Sequence, residues 1–124
     1  MTITNNVPAL TFIDWFPQYR FKADVILGTQ SDYYLLEADY HVRDNSWYVS
    51  LYTEVEEPVI LRQKLVLGYN LLTLCYHEKK PDCMLVPMSY EDNIKRVDYT
   101  NMVDGSIKLY HLTDNDLTNL FKNS

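Results

Sequence analysis

The sequence of 124 residues contains only three glycines and two cysteines. It has no glycine-rich phosphate-binding loop and no Gly-x-Ser-x-Gly motif of a serine hydrolase. Cys75 and Cys83 are too few for a disulfide framework, so we expect two free thiols. No apolar run approaches the roughly 18 residues that a membrane-spanning helix requires. Residues 1–6 include no basic side chain, which predicts a protein made and kept inside a cell, without a secretory signal peptide.

Positive charge is also scarce. Acidic residues outnumber Lys and Arg by 17 to 11, and the formal net charge is −6. Two basic residues are adjacent only at Lys79-Lys80 and Lys95-Arg96, and every other basic residue stands alone in the sequence. Such a chain repels phosphate backbones and anionic membrane surfaces. We therefore expect neither a nucleic-acid partner nor a membrane span.

The Cys and His residues do not have the spacing of a metal site. Cys75 and His77 are separated by one residue, Cys83 follows six residues later, and His111 is far along the chain. A structural zinc site needs four such ligands, and this spacing matches no known zinc finger. A Cys-His nucleophile pair would need side chains in hydrogen-bond reach, which one intervening helical residue does not allow. We predict a buried thiol beside a surface histidine.

The acidic clusters also favour a structural interpretation. Glu54, Glu56 and Glu57 lie beside Pro58 in a predicted turn, where solvent keeps carboxylates ionised and unsuited to acid-base catalysis. Residues 114–116 are Asp-Asn-Asp, but the glycine and the bidentate glutamate of a calcium-binding loop are missing. The sequence therefore predicts no catalytic residue, no metal and no cofactor.

Apolar residues alternate with polar ones along most of the chain, which is the two-residue period of a β-strand. The central pair of strands spans Ser46 to Gly68, with an acidic turn at Glu54 to Pro58. Two further strands, Gln18 to Leu27 and Tyr33 to Val42, precede it. The residues predicted to share a buried face are Tyr19, Phe21, Ala23, Val25, Leu27, Tyr34, Leu36, Ala38, Tyr40, Val42, Trp47, Val49, Leu51, Val59, Leu61, Leu65 and Leu67.

Short connections between these strands predict an antiparallel meander, since parallel strands need long crossovers. The predicted fold class is all-β, an antiparallel meander that closes into a small barrel or a sandwich. One short helix is predicted near 70–79, where Asn70 could cap the N-terminus. We further predict a strand at 83–86 ended by Pro87, a polar loop at 89–104 and a last strand at 106–112.

The predicted organisation is an N-terminal arm at 1–16, a β domain at 17–112 and a C-terminal tail at 113–124. Residues 7–15 are apolar without a clean period, and we expect them to lie along the domain or to reach a neighbour. The tail places Leu117, Leu120 and Phe121 at helical spacing, so a short C-terminal helix is possible. A helix so short needs an apolar surface to pack on, either its own domain or another protein.

With the strands in place, the order of motifs resembles the small baseplate plug family of contractile-tailed bacteriophages. The resemblance covers about Phe16 to Leu112 and departs at the charged strand residues 62–64 and in the tail after Thr113. The motifs that carry it are Pro17-Gln18-Tyr19-Arg20-Phe21, Tyr34-Leu35-Leu36, Ser46-Trp47-Tyr48-Val49-Ser50-Leu51-Tyr52, Leu65-Val66-Leu67-Gly68-Tyr69-Asn70-Leu71-Leu72 and Leu109-Tyr110.

The resemblance implies a non-enzymatic subunit of the baseplate hub, near the axis between tube and spike, that works by fit. It implies hub, spike and tube proteins as partners, a homotrimer in keeping with the symmetry of tail hubs, and residence in the virion tail baseplate after assembly in the host cytoplasm. The alternative is a stand-alone β-barrel binding module or an assembly factor.

Aromatic residues on arms or on the less apolar strand faces are the candidate contacts with partners, because Tyr and Trp are effective interface anchors. Simple coverage of the sheet explains each of them equally well. The aromatic candidates for the interface are Trp15, Phe16, Tyr48, Tyr52 and Tyr110. The apolar residues of the predicted tail helix, Leu117, Leu120 and Phe121, are added to them.

Overall fold

The computed structural model describes residues 11–73 and 75–113, which form two antiparallel sheets. One sheet has four strands in the order β2-β3-β4-β5, and the other has three in the order β1-β7-β6. The elements are β1 (Thr11–Ile13), β2 (Arg20–Leu27), β3 (Asp32–His41), β4 (Ser46–Thr53), β5 (Pro58–Lys64), β6 (Met84–Met88), α1 (Tyr99–Val103) and β7 (Lys108–Leu112).

The four-stranded sheet confirms the predicted meander. Consecutive strands pair in sequence order, with Phe21 opposite Ala38 and Leu36 opposite Leu51. Between the described residues the sheets do not close into a barrel, so the arrangement is sandwich-like. One face of this sheet supplies most of the core, and Trp47, at its centre, has no exposed surface.

Strand β5 departs from the predicted alternation. Val59 and Ile60 are both buried, whereas Leu61, predicted to face the core, is 55% exposed. The pairing of β4 with β5 shifts register near Leu51, and Arg62 has a φ of +50°. An extra residue at a bulge changes the face on which the following side chains lie, which period-two reasoning does not foresee.

The prediction of a helix near 70–79 is wrong for the described residues of that range, which form turns at 71–73 and 78–79 and are irregular elsewhere. Asn70 does not cap a helix: its Oδ1 accepts hydrogen bonds from the amides of Leu72 at 3.1 Å and Leu85 at 3.0 Å. The Leu71 amide donates to the carbonyl of Leu85 at 2.8 Å. The backbone thus bonds to β6, and the buried Leu71 and Leu72 complete the core without helical hydrogen bonds.

The short helix of the described residues lies instead at Tyr99–Val103, inside the stretch predicted to be a loop. Asp98 is its N-cap, and its Oδ1 accepts a hydrogen bond from the Asn101 amide at 2.8 Å. Acceptors of this kind satisfy amides that have no partner within the first turn. Met102 anchors the helix in the core.

The three-stranded sheet covers the other side of the core. Thr11–Ile13, which was predicted to be part of an extended arm, pairs with β7. The strand β6 continues through Pro87, which was predicted to end it. Proline is tolerated because β6 is an edge strand of its sheet and the Pro87 carbonyl still accepts a hydrogen bond from the Gly68 amide at 2.8 Å.

Candidate protein–protein interface

The outer face of the four-stranded sheet is the surface turned away from the core. It carries the alternate residues of β2, β3 and β4, including two of the predicted interface tyrosines, Tyr48 and Tyr52. Sheets with one solvated face normally present polar residues there. Aromatic residues on that face are therefore candidates for contact with another protein.

Tyr48 is held in place by its neighbours. Its ring stacks on His41 at a centroid distance of 4.3 Å, and its hydroxyl donates to Oδ2 of Asp44 at 2.5 Å. The hydrogen bond from Tyr48 lowers the pKa of Asp44, and because the Tyr48 hydroxyl donates its proton to this carboxylate, the same bond raises the pKa of Tyr48. The ring is half-buried and fixed in orientation.

Tyr52 lies farther along the same face. It is opposite Leu35 on β3 and opposite Pro58 on β5, and both Tyr52 and Leu35 are half-buried. Cross-strand neighbours on one face of a sheet are close enough to pack side by side. The three residues form one row across the sheet.

Trp15 occupies a different position from the tyrosines. Its ring packs edge-on against Phe21 at 5.0 Å and Trp47 at 5.1 Å, beside the core. The indole Nε1 is buried and has no hydrogen-bond partner among residues 11–73 and 75–113. Phe16, the next residue, also packs on Phe21 at 5.0 Å but is 41% exposed. Of the two, Phe16 is the one whose ring is available to another molecule.

Tyr110 lies on the outer face of the three-stranded sheet, in a second apolar cluster. It is only 6% exposed, and its ring contacts Phe12 at 6.1 Å and Tyr90 at 6.3 Å between centroids. Burial, followed by a hydrogen bond with Tyr90, raises the pKa of Tyr110 to about 12. The other three predicted contacts, Leu117, Leu120 and Phe121, lie outside the described residues. The interface role of all eight residues stays a prediction.

Two exposed apolar residues on the outer face were missed from the sequence. Ile26 and Tyr33 are 51% and 57% exposed and lie directly opposite each other on β2 and β3. A signal was present, because Ile26 interrupts the charged face formed by Arg20, Lys22 and Asp24. Large apolar side chains that adjoin each other on a surface are more informative than single ones.

The thiols and the nearby histidine do not assemble into a reactive site. Cys75 donates to the Val59 carbonyl at 3.5 Å, whereas His77 bonds to Glu57 at 2.6 Å. Burial raises the pKa of the Cys83 thiol to about 11, which disfavours the reactive thiolate. Within residues 11–73 and 75–113, no group of three or more His, Cys, Asp or Glu is placed to hold a metal ion.

The described chain contains no helix that is both long and apolar enough to cross a membrane. The fold is that of a small all-β, sandwich-like domain, and its exposed aromatic residues include Phe12 and Tyr33 on strands and Phe16 in a connection. A comparison with curated protein sequences found no match.

The family model described as cyanophage baseplate Pam3 plug gp18 matches residues 9–114 of this chain. The chain belongs to this family of phage baseplate plugs. The match confirms the family resemblance found in the sequence and spans both sheets. It also makes the chain a structural component that assembles with other proteins of the tail baseplate.

Proposed function

We propose that the protein is a plug-like subunit of the central hub of a contractile-tail baseplate, near the axis between tube and spike. It acts by fit to its neighbours and catalyses no reaction. The family match over residues 9–114 is the observation that carries this proposal. Its partners are hub, spike and tube proteins, met in the cytoplasm of the host during assembly.

The distribution of aromatic residues supports a role in assembly. Phe16 is 41% exposed beside β2, and Tyr48 and Tyr52 lie half-buried on the outer face of the four-stranded sheet. Rigid aromatic rings give contact area at a low cost in conformational entropy. In this proposal these rings, with Trp15, Tyr110 and the three apolar residues of the tail, contribute to contacts with neighbouring subunits.

The proposed oligomer is a homotrimer. Homo-oligomers are mostly closed and symmetric, and a plug centred on a three-fold axis would match its surroundings best as a trimer. The negative charge of the chain supports protein partners over nucleic acid or an anionic membrane.

Quantitative mass spectrometry of purified tail particles from the phage that carries this gene tests the proposal. The expected result is about three copies of this chain per particle, measured against the hub protein as internal standard. Expression in the lysate with no copies in particles would contradict the proposal and favour an assembly factor or a separate binding module. A ratio far from three would contradict the trimer alone.

A further inference from the structure

The outer face of the four-stranded sheet is divided into two halves of different charge. In the half nearest the start of β2, each basic residue faces an acid across the strands. Arg20 lies 3.2 Å from Asp39, and Lys22 lies 3.7 Å from Glu37. These pairs largely neutralise their half of the face.

The other half carries apolar and aromatic side chains that are accessible. Ile26 and Tyr33 are opposite each other and more than half exposed, and the next row contains Leu35 and Tyr52. Leu35 and Tyr52 are half-buried. The apolar centre of this half is therefore a contiguous surface across three strands, which is the kind of surface that protein partners cover.

Exposed carboxylates lie near this apolar centre: Asp24 is on the same face of β2, Asp32 begins β3, and Glu54 and Glu56 are in the turn after β4. Asp24, Asp32, Glu54 and Glu56 are all exposed, and none forms an ion pair in the described part of the chain. Lys79 contributes one positive charge to the lining of a groove that Glu54 also lines. We call this region the Tyr33 patch, defined by Asp24, Ile26, Asp32, Tyr33, Glu54 and Glu56.

Two grooves in this region are both lined in part by Tyr33. One, of about 290 Å³, lies between Asp32 and the turn that contains Glu54, with Lys79 in its lining. The other, of about 220 Å³, is lined by Asp24, Glu54 and Glu56 among others. Each groove has room for one long side chain and is lined by carboxylates, and Tyr33 contributes to the lining of both.

We propose that the Tyr33 patch binds a basic surface of another baseplate protein, which inserts one Arg or Lys side chain into each groove so that both side chains contact Tyr33. Cations pack favourably over aromatic rings, and arginine also bonds to carboxylates in a planar fork. Complementary charge further accelerates encounter and excludes wrong partners. This inference rests on the proposed function, since it places the partner in the baseplate.

Charge complementarity also distinguishes among the molecules that could bind the Tyr33 patch. A second copy that docks through the same patch would bring unpaired carboxylates against each other, which is unfavourable. A nucleic acid or an anionic membrane would meet the same repulsion. A basic protein surface gains from the carboxylates and from the apolar centre together.

Charge reversal in the phage tests this proposal. Glu54→Lys combined with Glu56→Lys changes two carboxylates of the patch in an exposed turn. The control combines Glu91→Lys with Asp92→Lys, which makes the same change in net charge at two exposed residues after β6. Glu54→Gln with Glu56→Gln removes the charge without reversing it. Thermal unfolding within about 3 °C of the wild type confirms that each variant is folded.

The measurement is the number of copies of each variant in purified tail particles. The Lys variant is expected to fall roughly tenfold or more, the Gln variant less, and the control within about twofold of the wild type. Incorporation of the Lys variant at wild-type level would overturn the proposal and leave the baseplate function intact. An equal loss in the control would overturn it too, because net charge rather than the patch would be responsible.

Two further outcomes separate this inference from the function on which it rests. If even the wild-type chain is missing from particles, the proposed function fails, and the assigned partner fails with it. The remaining candidate occupant, a second copy of this chain, is tested with the isolated protein. The oligomeric state, measured by sedimentation, is expected to be the same in the wild type and the Lys variant. A change in that state would overturn the proposal in favour of contact between copies. If the Lys variant does not fold, the Gln variant decides, with a loss of at least threefold expected.

Discussion

The backbone amide of Gly28 donates a hydrogen bond to Nε2 of His111 at 3.0 Å. Gly28 follows β2 in the four-stranded sheet, and His111 lies on β7 in the three-stranded sheet. Nδ1 of the same ring lies 3.0 Å from Oγ1 of Thr11 on β1. One imidazole therefore connects both sheets of the sandwich.

This arrangement fixes the tautomer of the neutral ring. Because Nε2 accepts from Gly28, the ring hydrogen is on Nδ1, which donates to Thr11. Nitrogen-15 chemical shifts of the side chain are expected to show Nδ1 as the protonated nitrogen. The opposite tautomer would contradict the proposed bond between the sheets.

Replacement of His111 by leucine is expected to lower the free energy of unfolding by about 1–3 kcal/mol, since the Gly28 amide loses its acceptor in a partly buried place. Urea denaturation measures the effect. His41→Leu is the matched control, because His41 is partly exposed, stacks on Tyr48 and lies 3.5 Å from Asp39, and such surface contacts contribute about 0–1 kcal/mol. Equal losses in both variants would show that the bond to Gly28 has no special role.

The bulge in β5 gives a second prediction. The Arg62 amide donates to Oγ of Ser50 at 2.9 Å, and Ser50 is buried on β4. Ser50→Ala is expected to reduce the free energy of unfolding by about 1–2 kcal/mol, because the amide at the bulge loses its acceptor. Gln63→Ala, at the exposed next position, is expected to change it by no more than about 0.5 kcal/mol. Equal unfolding midpoints for Ser50→Ala and wild type in urea would refute this account of the bulge.

The contact between Tyr48 and Asp44 predicts a dependence on pH. The Tyr48 hydroxyl lowers the pKa of Asp44, so the ionised carboxylate is favoured in the folded state. The contribution to stability is present above the unfolded pKa of about 3.9 and is lost as the pH falls through the lower folded pKa. Tyr48→Phe is expected to raise the pKa of Asp44, as measured by carbon-13 NMR of its carboxyl group.

The stability difference between Tyr48→Phe and wild type should accordingly shrink in acid, below about pH 4. Tyr52→Phe serves as the control on the same strand and is expected to leave the pKa of Asp44 unchanged. If both variants leave Asp44 titrating as in the wild type, the hydrogen bond from Tyr48 is not the cause of the lowered pKa.

Burial of Cys83 predicts slow chemical modification. With a pKa of about 11, roughly one Cys83 thiol in a thousand is ionised at pH 8, and only the thiolate is alkylated. In a Cys75→Ala background, iodoacetamide is expected to react with Cys83 about a hundredfold more slowly in the folded protein than in urea. Rates within a factor of ten of each other would contradict the shift.

Much of the four-stranded sheet could be predicted from local pattern. The alternation in Arg20–Leu27, Asp32–His41 and Ser46–Thr53 matches the observed strands and their buried faces, because a half-buried strand imposes a period of two on its residues. Short polar connections then leave antiparallel pairing of neighbours as the only arrangement that the chain can reach. At the ends of these strands the predicted buried face is wrong for Tyr19 and Val42, which are 59% and 66% exposed.

The candidate interface was less predictable. Tyr48 and Tyr52 could be assigned to the outer face from their parity in β4, but the exposed pair of Ile26 and Tyr33 depends on the register between two strands. Nothing in the sequence around Trp15 indicates that its ring lies against Phe21 and Trp47 beside the core. Exposure of an aromatic residue outside a regular strand is decided by what packs around it, and that involves distant parts of the chain.

The sequence by itself determined the all-β class, the meander of the first long strands and the membership in the baseplate plug family. These properties depend on residue types at short, fixed spacings, which local sterics and the pleat of a strand translate directly into structure. Only the tertiary structure decided that the described residues of 70–79 form turns and irregular segments, that Tyr99–Val103 is the helix of the described chain, and that His111 joins the two sheets. In each case a backbone or ring atom bonds to a partner far away in the sequence, and such long-range bonds override local preference.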